Sequence, residues 1–463
     1  MALPISTRPW GSSWLWPALL VLGACPRSQR TLEPELSAAS VQAVVEPLEG
    51  EDAVVAWMDR TLVPLATTDP AASLDELRAL DPFLEGRRVI ALGEATHGTR
   101  EFFRWKHRLL RYLAERHGYT VLAMELPFAT AARIDDYVHG GEGDPYELVR
   151  GSYWFMDSEE IVALIVWMRE HNATVEPGRQ LELVGFDVQR ARASAEALSA
   201  IVAAAAPAVA GRYDAALRRL AAGDPGQGEA VAELADDMER LRRELEPHRG
   251  LDPRTRGHLD VIAQDLDIRR HCGEAFGCQV VKRDMFMAAN VLRSLDGPAG
   301  PKKAVVWAHN GHVGRAVHPD GWPPMGSHLA AELGDALYVV GFELDHGGFV
   351  APAGGVGQRG AERSLEHLGG ARVAQYELTP APAGSLTHAL ARASAPLYFL
   401  PLGELATEPE VAEWFRAHPE HHEYGAFAPT KARHQTAAVG VEQAFDAIVF
   451  VEETTAYRFV EGG

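Results

Sequence analysis

Basic residues are in the minority, with 44 Lys and Arg against 64 Asp and Glu for a net charge of −20. No Lys/Arg-rich run offsets that balance, so phosphate backbones are repelled, which argues against nucleic acid as a partner. Long apolar runs are missing as well. Beyond the N-terminus no stretch approaches the roughly 20 residues that a membrane-spanning helix needs. Two catalytic signatures are absent. There is no Gly-x-Ser-x-Gly, which removes support for a serine nucleophile elbow. There is no His-Glu-x-x-His, which removes support for a standard zincin helix. What remains is globular: 47% hydrophobic and 23% charged residues allow a sizeable core and oppose overall disorder. A chain of 463 residues accommodates one large α/β domain or two to three smaller ones.

Cysteine is scarce, at three residues. The first, Cys25, closes an N-terminal segment in which Arg8 is the sole charge and Trp14 to Leu22 is apolar. That run has the length of a signal-peptide core. Leu22-Gly23-Ala24-Cys25 resembles the lipobox of bacterial lipoproteins, which implies a signal peptide over 1–24 and a lipid on Cys25. The expected location is the cell envelope, with the membrane met only through that anchor. The competing reading is an ordinary secretory signal with a chance cysteine. Residues 25–50 are polar and mixed and read as a tether. Cys272 and Cys278 either pair outside the cytoplasm or stay free. In one continuous helix over 258–295 they would face different ways, and a bond would need a break at Gly273 or Gly277.

The body from 51 to 463 reads as α/β. Arg88 to Leu92 is a short apolar strand ending in Gly93-Glu94-Ala95-Thr96-His97-Gly98. A helix follows over 99–117, with Phe102, Trp105, Leu109, Tyr112 and Leu113 at helical spacing, Thr99 placed to cap its start and Gly118 its end. Tyr119 to Met124 is a second strand, ending in Glu125. Such β-α-β units build parallel sheets whose carboxyl ends collect ligands. Helices are expected near 128–139 and 159–171. Further strands are expected at 181–186, 304–307, 336–342 and 447–451. The Ala-, Leu-, Arg- and Glu-rich stretch from about 190 to 297 reads as helices inserted over the cleft, with a separate helical domain as the alternative. The predicted architecture is three-layered, around a mostly parallel central sheet. Gly355 to Gly360 matches Gly-x-Gly-x-x-Gly literally, but no strand precedes it, and 351–361 reads as a loop. His418, His421 and His422 read as a solvated surface turn, with metal binding as the alternative.

Chemistry concentrates at the strand ends. Glu94 and His97 share one tight turn, and a histidine oriented by a carboxylate is a natural general base for water. Glu125 ends the next strand, expected beside the first, and His309 and His312 follow a later one. A single histidine there would be unremarkable, but five titratable groups at three strand ends mark an active site. Trp154, Phe155 and Trp167 form either a hydrophobic wall or plain core.

These segments resemble the erythromycin esterase family. The matches are Ala91 to Gly98, Phe102 to Lys106, Met124-Glu125, Tyr153-Trp154, Trp167 to Asn172, Gly185 to Asp187, Arg283-Asp284 with Met287 to Asn290, Trp307 to His312, and Phe445 to Thr455. The resemblance implies hydrolysis of a small-molecule ester, in the family a macrolide lactone, by water without a covalent serine. It implies His97 as general base and Glu94, Glu125, His309 and His312 in the same cluster. Lys106 and Arg283 stand in matching segments and are expected to hold substrate or offset developing negative charge. No cofactor and no metal ligand is assigned, although two glutamates and three histidines have the chemistry to hold zinc. The rival readings are a metal-dependent hydrolase, a lipoprotein that binds a ligand without turnover, and a transferase or cell-surface polysaccharide enzyme.

Overall fold

The computed structural model describes residues 49–460, apart from 151, 247–251, 298–299, 357, 366–367, 369 and 426–435. The chain divides into two compact units, Met1–Val45 and Glu46–Gly463. The first lies outside the described residues, and with it the expected signal peptide, Cys25 and most of the tether. Among the described residues no helix is long and apolar enough to cross a membrane.

The strands are β1 (Val63–Pro64), β2 (Val89–Leu92), β3 (Val121–Pro127), β4 (Glu182–Asp187), β5 (Ala304–Trp307), β6 (Leu337–Pro352), β7 (Gln358–Leu365), β8 (Ala371–Leu378), β9 (Leu397–Pro401), β10 (Glu420–His422), β11 (Thr436–Ala438) and β12 (Ala447–Thr454). The main sheet runs β1-β9-β12-β6-β2-β5-β3-β4. From β12 to β4 every pairing is parallel, and β1 and β9 add an antiparallel edge. β7 and β8 extend the long β6 as an antiparallel ribbon, and β10 and β11 form a separate hairpin. One expectation is corrected here. β3 does not lie beside β2, because β5 sits between them and pairs with both.

β2 and β5 are four-residue runs buried throughout. Strands covered on both faces read as continuous hydrophobic segments for that reason. Alternate residues feed two cores. Ile90, Leu92, Leu122 and Met124 enter one, while Val89, Ala91, Val121 and Ala123 enter the other. The three-layer α/β architecture is thus present.

The helical stretch also divides. The helices Ala191–Ala205, Pro207–Ala221, Glu229–Leu245 and Pro253–Cys272 share a third core of their own. The next helix, Phe276–Ser294, buries Met287, Ala288 and Val291 in the α/β body instead. Of the two alternatives for 258–295 the broken one holds: the chain forms two helices, parted at Gly273 with φ +51°, and the break lets Cys272 and Cys278 form a disulfide. A loop over 351–361 is corrected too: β6 runs to Pro352 and β7 starts at Gln358.

Candidate active site

The turn after β2 is built by close approach. A Cβ on Gly93 would lie 2.1 Å from Asn310 Oδ1, and one on Gly98 would lie 1.9 Å from the Val350 carbonyl oxygen. Asn310 in turn bridges Phe342, its amide donating to the carbonyl at 2.9 Å and its oxygen accepting the N–H at 3.1 Å. Glycine at both ends lets the turn sink into the carboxyl end of the sheet, so that Glu94 and His97 are buried there. The helix Arg100–His117 leaves the turn with Thr99 at its N-cap position, but Thr99 makes no capping bond. Its C-terminus does end as expected, at left-handed Gly118.

Glu94 is the hub of one half of the site. Its Oε1 lies 2.5 Å from His97 Nδ1, and its Oε2 accepts from Lys106 Nζ at 2.5 Å and Trp307 Nε1 at 3.0 Å. Lys106 rests over the Trp307 and Phe342 rings, 4.6 and 5.0 Å from their centroids. Burial alone would raise the Glu94 pKa, but Lys106 and His97 outweigh it and hold the carboxyl below its usual range. Lys106 is itself lowered to about 8, because burial exceeds the pull of Glu94. At neutral pH the pair remains ionised.

Glu125 is the hub of the other half. Its Oε1 accepts from Arg283 Nη2 at 2.8 Å and lies 3.4 Å from His312 Nε2. Its Oε2 accepts the His309 N–H at 3.1 Å. Arg283 also makes a two-pronged contact with Asp187 at the end of β4, at 2.9 Å on each oxygen, and Tyr153 donates to the same carboxylate at 2.5 Å. His312 Nδ1 lies 2.7 Å from Asp284. Burial works against the Glu125 carboxylate, yet His312 and Arg283 drive its pKa far down.

His309 sits between the halves, its ring centroid 5.1 Å from that of His97. Its nitrogens are occupied by backbone. Nε2 lies 3.2 Å from the Ala95 carbonyl and 3.1 Å from the Gly425 N–H, and Nδ1 accepts from Gly311 at 3.2 Å. Glu423 stands 3.4 Å from Nδ1. The segment 423–425 is docked onto the turn after β2 by the Tyr424 N–H, which donates to the Ala95 carbonyl at 2.8 Å. Phe155 stacks on His97 at 4.7 Å and Trp154 meets it edge-on at 6.3 Å, so these two aromatics form the wall.

All seven residues singled out from the sequence fall in one connected network. Sequence reasoning missed Asp187, Asp284, Tyr153, Trp307 and Glu423 as partners. The first four lie inside or beside motifs already noticed, so asking what neutralises Arg283 and His312 would have found the two aspartates. Glu423 carries no local signal. His421 and His422 are corrected outright. Both are buried, and His422 Nδ1 donates to the Leu344 carbonyl at 2.7 Å. The zinc alternative does not fit the network. The oxygens of Glu94 and Glu125 each face an N–H donor, and among the described residues no three His, Cys, Asp or Glu side chains converge to hold an ion.

His312 has a testable charge. Burial would lower its pKa, but Asp284 and Glu125 raise it to about 9. A pKa above the unfolded value of about 6.5 means a stabilising contribution that is complete below that pH and lost as pH rises through 9. Urea denaturation of wild type and His312→Gln is expected to show a larger stability gap at pH 6 than at pH 9.5. A gap independent of pH would show an uncharged His312.

The chain matches the erythromycin esterase family over residues 114–454. It is 28% identical over 319 residues to erythromycin esterase type II of Escherichia coli, covering 62% of this chain and 75% of that protein. A succinoglycan biosynthesis protein of known structure superposes with a TM-score of 0.75 at 18% identity, over 89% of this chain and 100% of that one. A mutant of the erythromycin esterase EreC in its open conformation gives 0.63 at 18% identity, over 85% and 98%. With a matched span of this length and the same sheet-and-helix architecture, the chain belongs to the erythromycin esterase family of hydrolases.

Proposed function

We propose that the protein hydrolyses a carboxylic ester by direct attack of water, with His97 as general base. The observation that carries this reading is the buried 2.5 Å contact between His97 Nδ1 and Glu94. A carboxylate on Nδ1–H fixes the tautomer, leaves the Nε2 lone pair for a proton from water, and stabilises the imidazolium that forms. In the proposed step the water oxygen attacks the ester carbon while its proton passes to His97 Nε2. The carbon–alkoxy bond then breaks, and charged His312 supplies the proton that the leaving alcohol needs. Solvent returns His97 and His312 to their starting states. Both histidines have engaged ring nitrogens, but those of His312 face the carboxylates Asp284 and Glu125, which hold a proton on it, besides Arg283 Nη1 at 3.0 Å. Those of His309 meet the backbone of Ala95, Gly311 and Gly425, and His312 is therefore assigned the role. Lys106 keeps Glu94 ionised, and Arg283 does the same for Glu125.

The substrate lies across the carboxyl ends of β2, β5 and β3, against Trp154 and Phe155. Erythromycin is the first compound to test, because the E. coli relative bears its name. The Leu22-to-Cys25 motif supports a reading in which the enzyme is held by a lipid anchor in the cell envelope. One experiment tests these points together: the full chain is assayed against macrolides and a diverse ester panel, with and without chelator, and after Cys25→Ala. The expected result is cleavage of at least one ester without a pre-steady-state burst, unchanged by chelator. Activity is expected in the membrane fraction and released by Cys25→Ala. Loss of activity with chelator would favour the metal-dependent rival. Tight binding of a panel member with no cleavage anywhere would favour a binding protein. Unchanged partitioning would sink the anchor.

A further inference from the structure

A cavity of about 400 Å³ opens between the helices Arg100–His117 and Glu159–Thr174 and the segment 69–71, and none of its lining residues belongs to the catalytic network. Its size is within the range of about 300–1,000 Å³ typical of small-molecule sites. Arg100, Arg104, His107 and Arg111 line one side. Spacings of four, three and four put them on one helix face. Trp167, Ala163, Pro70 and Ala71 supply apolar walls, and Trp167 packs on His107 with ring centroids 5.2 Å apart.

A structural role accounts for part of this. Arg104 pairs with Asp69 at 2.9 Å, Arg100 with Glu160 at 3.1 Å, and Arg111 donates to the Pro70 carbonyl. Those contacts latch the segment near residue 70 and the second helix onto the first. Four buried nitrogens around the cavity lack a hydrogen bond; Arg100 Nε is offset by its ion pair with Glu160, which leaves Arg104 Nε, Arg111 Nε and His107 Nε2. His107 is only 5% exposed. Burial, with Arg111 and Arg104, lowers its pKa to about 3, so its ring is neutral. An unsatisfied buried polar group is costly, and such groups call for an explanation in a native protein. Three carboxylates line the cavity: Asp69 and Glu160 already face guanidinium groups, and Glu159 is exposed and meets none of the three nitrogens. The latch explains the ion pairs but neither the unmatched nitrogens nor the space between them.

We propose that this cavity is a second small-molecule site that takes an aromatic or alicyclic carboxylate. The flat apolar body lies against Trp167 and His107, and the carboxylate receives the Arg104 and Arg111 donors. The chain's net charge of −20 repels anions at long range, but beyond about 8 Å salt screens that repulsion, so the local guanidinium groups decide. The site is independent of the esterase reading.

Isothermal titration of the full chain with 1-naphthoate and with neutral 1-naphthamide tests it. Naphthoate is expected to bind at one site, and naphthamide at least about tenfold more weakly, or 1.4 kcal/mol. Ala163 is exposed and lines the cavity. Ala163→Phe fills the space without touching an ion pair and is expected to weaken naphthoate about tenfold or more, with thermal stability and ester turnover unchanged. Arg111→Gln is expected to weaken naphthoate and not naphthamide. His97→Ala is expected to leave naphthoate affinity unaltered. No binding of naphthoate, equal affinity for the amide, indifference to Ala163→Phe, or loss of affinity in His97→Ala would each overturn the proposal.

Discussion

Replacing His97 with alanine is expected to lower ester turnover by about 100- to 10,000-fold, the usual contribution of a positioned general base. At 1.4 kcal/mol per factor of ten this corresponds to roughly 3–5.5 kcal/mol of lost transition-state stabilisation. The fold is expected to survive. Glu94 keeps Lys106 and Trp307 as partners, so no buried carboxylate is stranded. What the protein loses is the ring stacked on Phe155. Circular dichroism and a denaturation midpoint near wild type would establish that the variant is folded. Steady-state rates on whichever ester the wild type cleaves then give the answer. A folded His97→Ala protein with near wild-type turnover on every such ester would remove His97 from the mechanism.

Arg283→Met has the larger structural consequence. Arg283 is the shared cation of Asp187 and Glu125, and its side chain is 17% exposed. Removing one partner of a buried pair typically costs about 3–5 kcal/mol, because the charge left behind keeps its desolvation penalty without its counter-charge. Here two carboxylates lose their guanidinium at once, although Glu125 keeps His312 and Asp187 keeps Tyr153. The expected outcome is a fall of that size in unfolding free energy, read from urea melts, together with loss of activity. The Glu125 pKa is expected to rise, since Arg283 is one of the groups that hold it down. Arg283→Lys should recover part of the stability and less of the geometry, as an ammonium cannot reproduce a planar fork across two carboxylates. Stability within about 1 kcal/mol of wild type for Arg283→Met would mean that the network is not the brace described here.

The strands that position the site were legible because each is a short apolar run with a polar residue at its carboxyl end. β2, β3, β5 and the residues Glu94, Glu125 and His309 follow from that pattern alone. Strand order was not legible. Nothing in the local sequence says that β5 enters between β2 and β3, because order is settled by long-range pairing and not by periodicity. The buried His421 and His422 show the same limit from the other side. A Pro-, Glu- and His-rich stretch reads as solvated, yet β10 packs beneath the site, and tertiary context overrides composition. Glu423 reaches His309 from that stretch, more than a hundred residues further along the chain. The disulfide was undecidable because it depends on whether the helix breaks at Gly273, and both outcomes are compatible with the spacing.

The position of β5 bears on how the protein is made. Residues 304–307 must slot between strands formed by residues 89–92 and 121–127, and almost 180 residues of chain separate β3 from β5. A nascent chain that has emerged only as far as the helical region can form helices and its own local core, but its central sheet has a gap where β5 belongs. Loop closure on that scale, and pairing so remote in sequence, make such topologies slow to fold. During synthesis the two inner edges next to that gap stay open to wrong partners. The same crossing that unites Glu94, Glu125 and His309 therefore keeps the candidate site from assembling until residue 309 has arrived, and the other edge of β2 stays open until β6 follows.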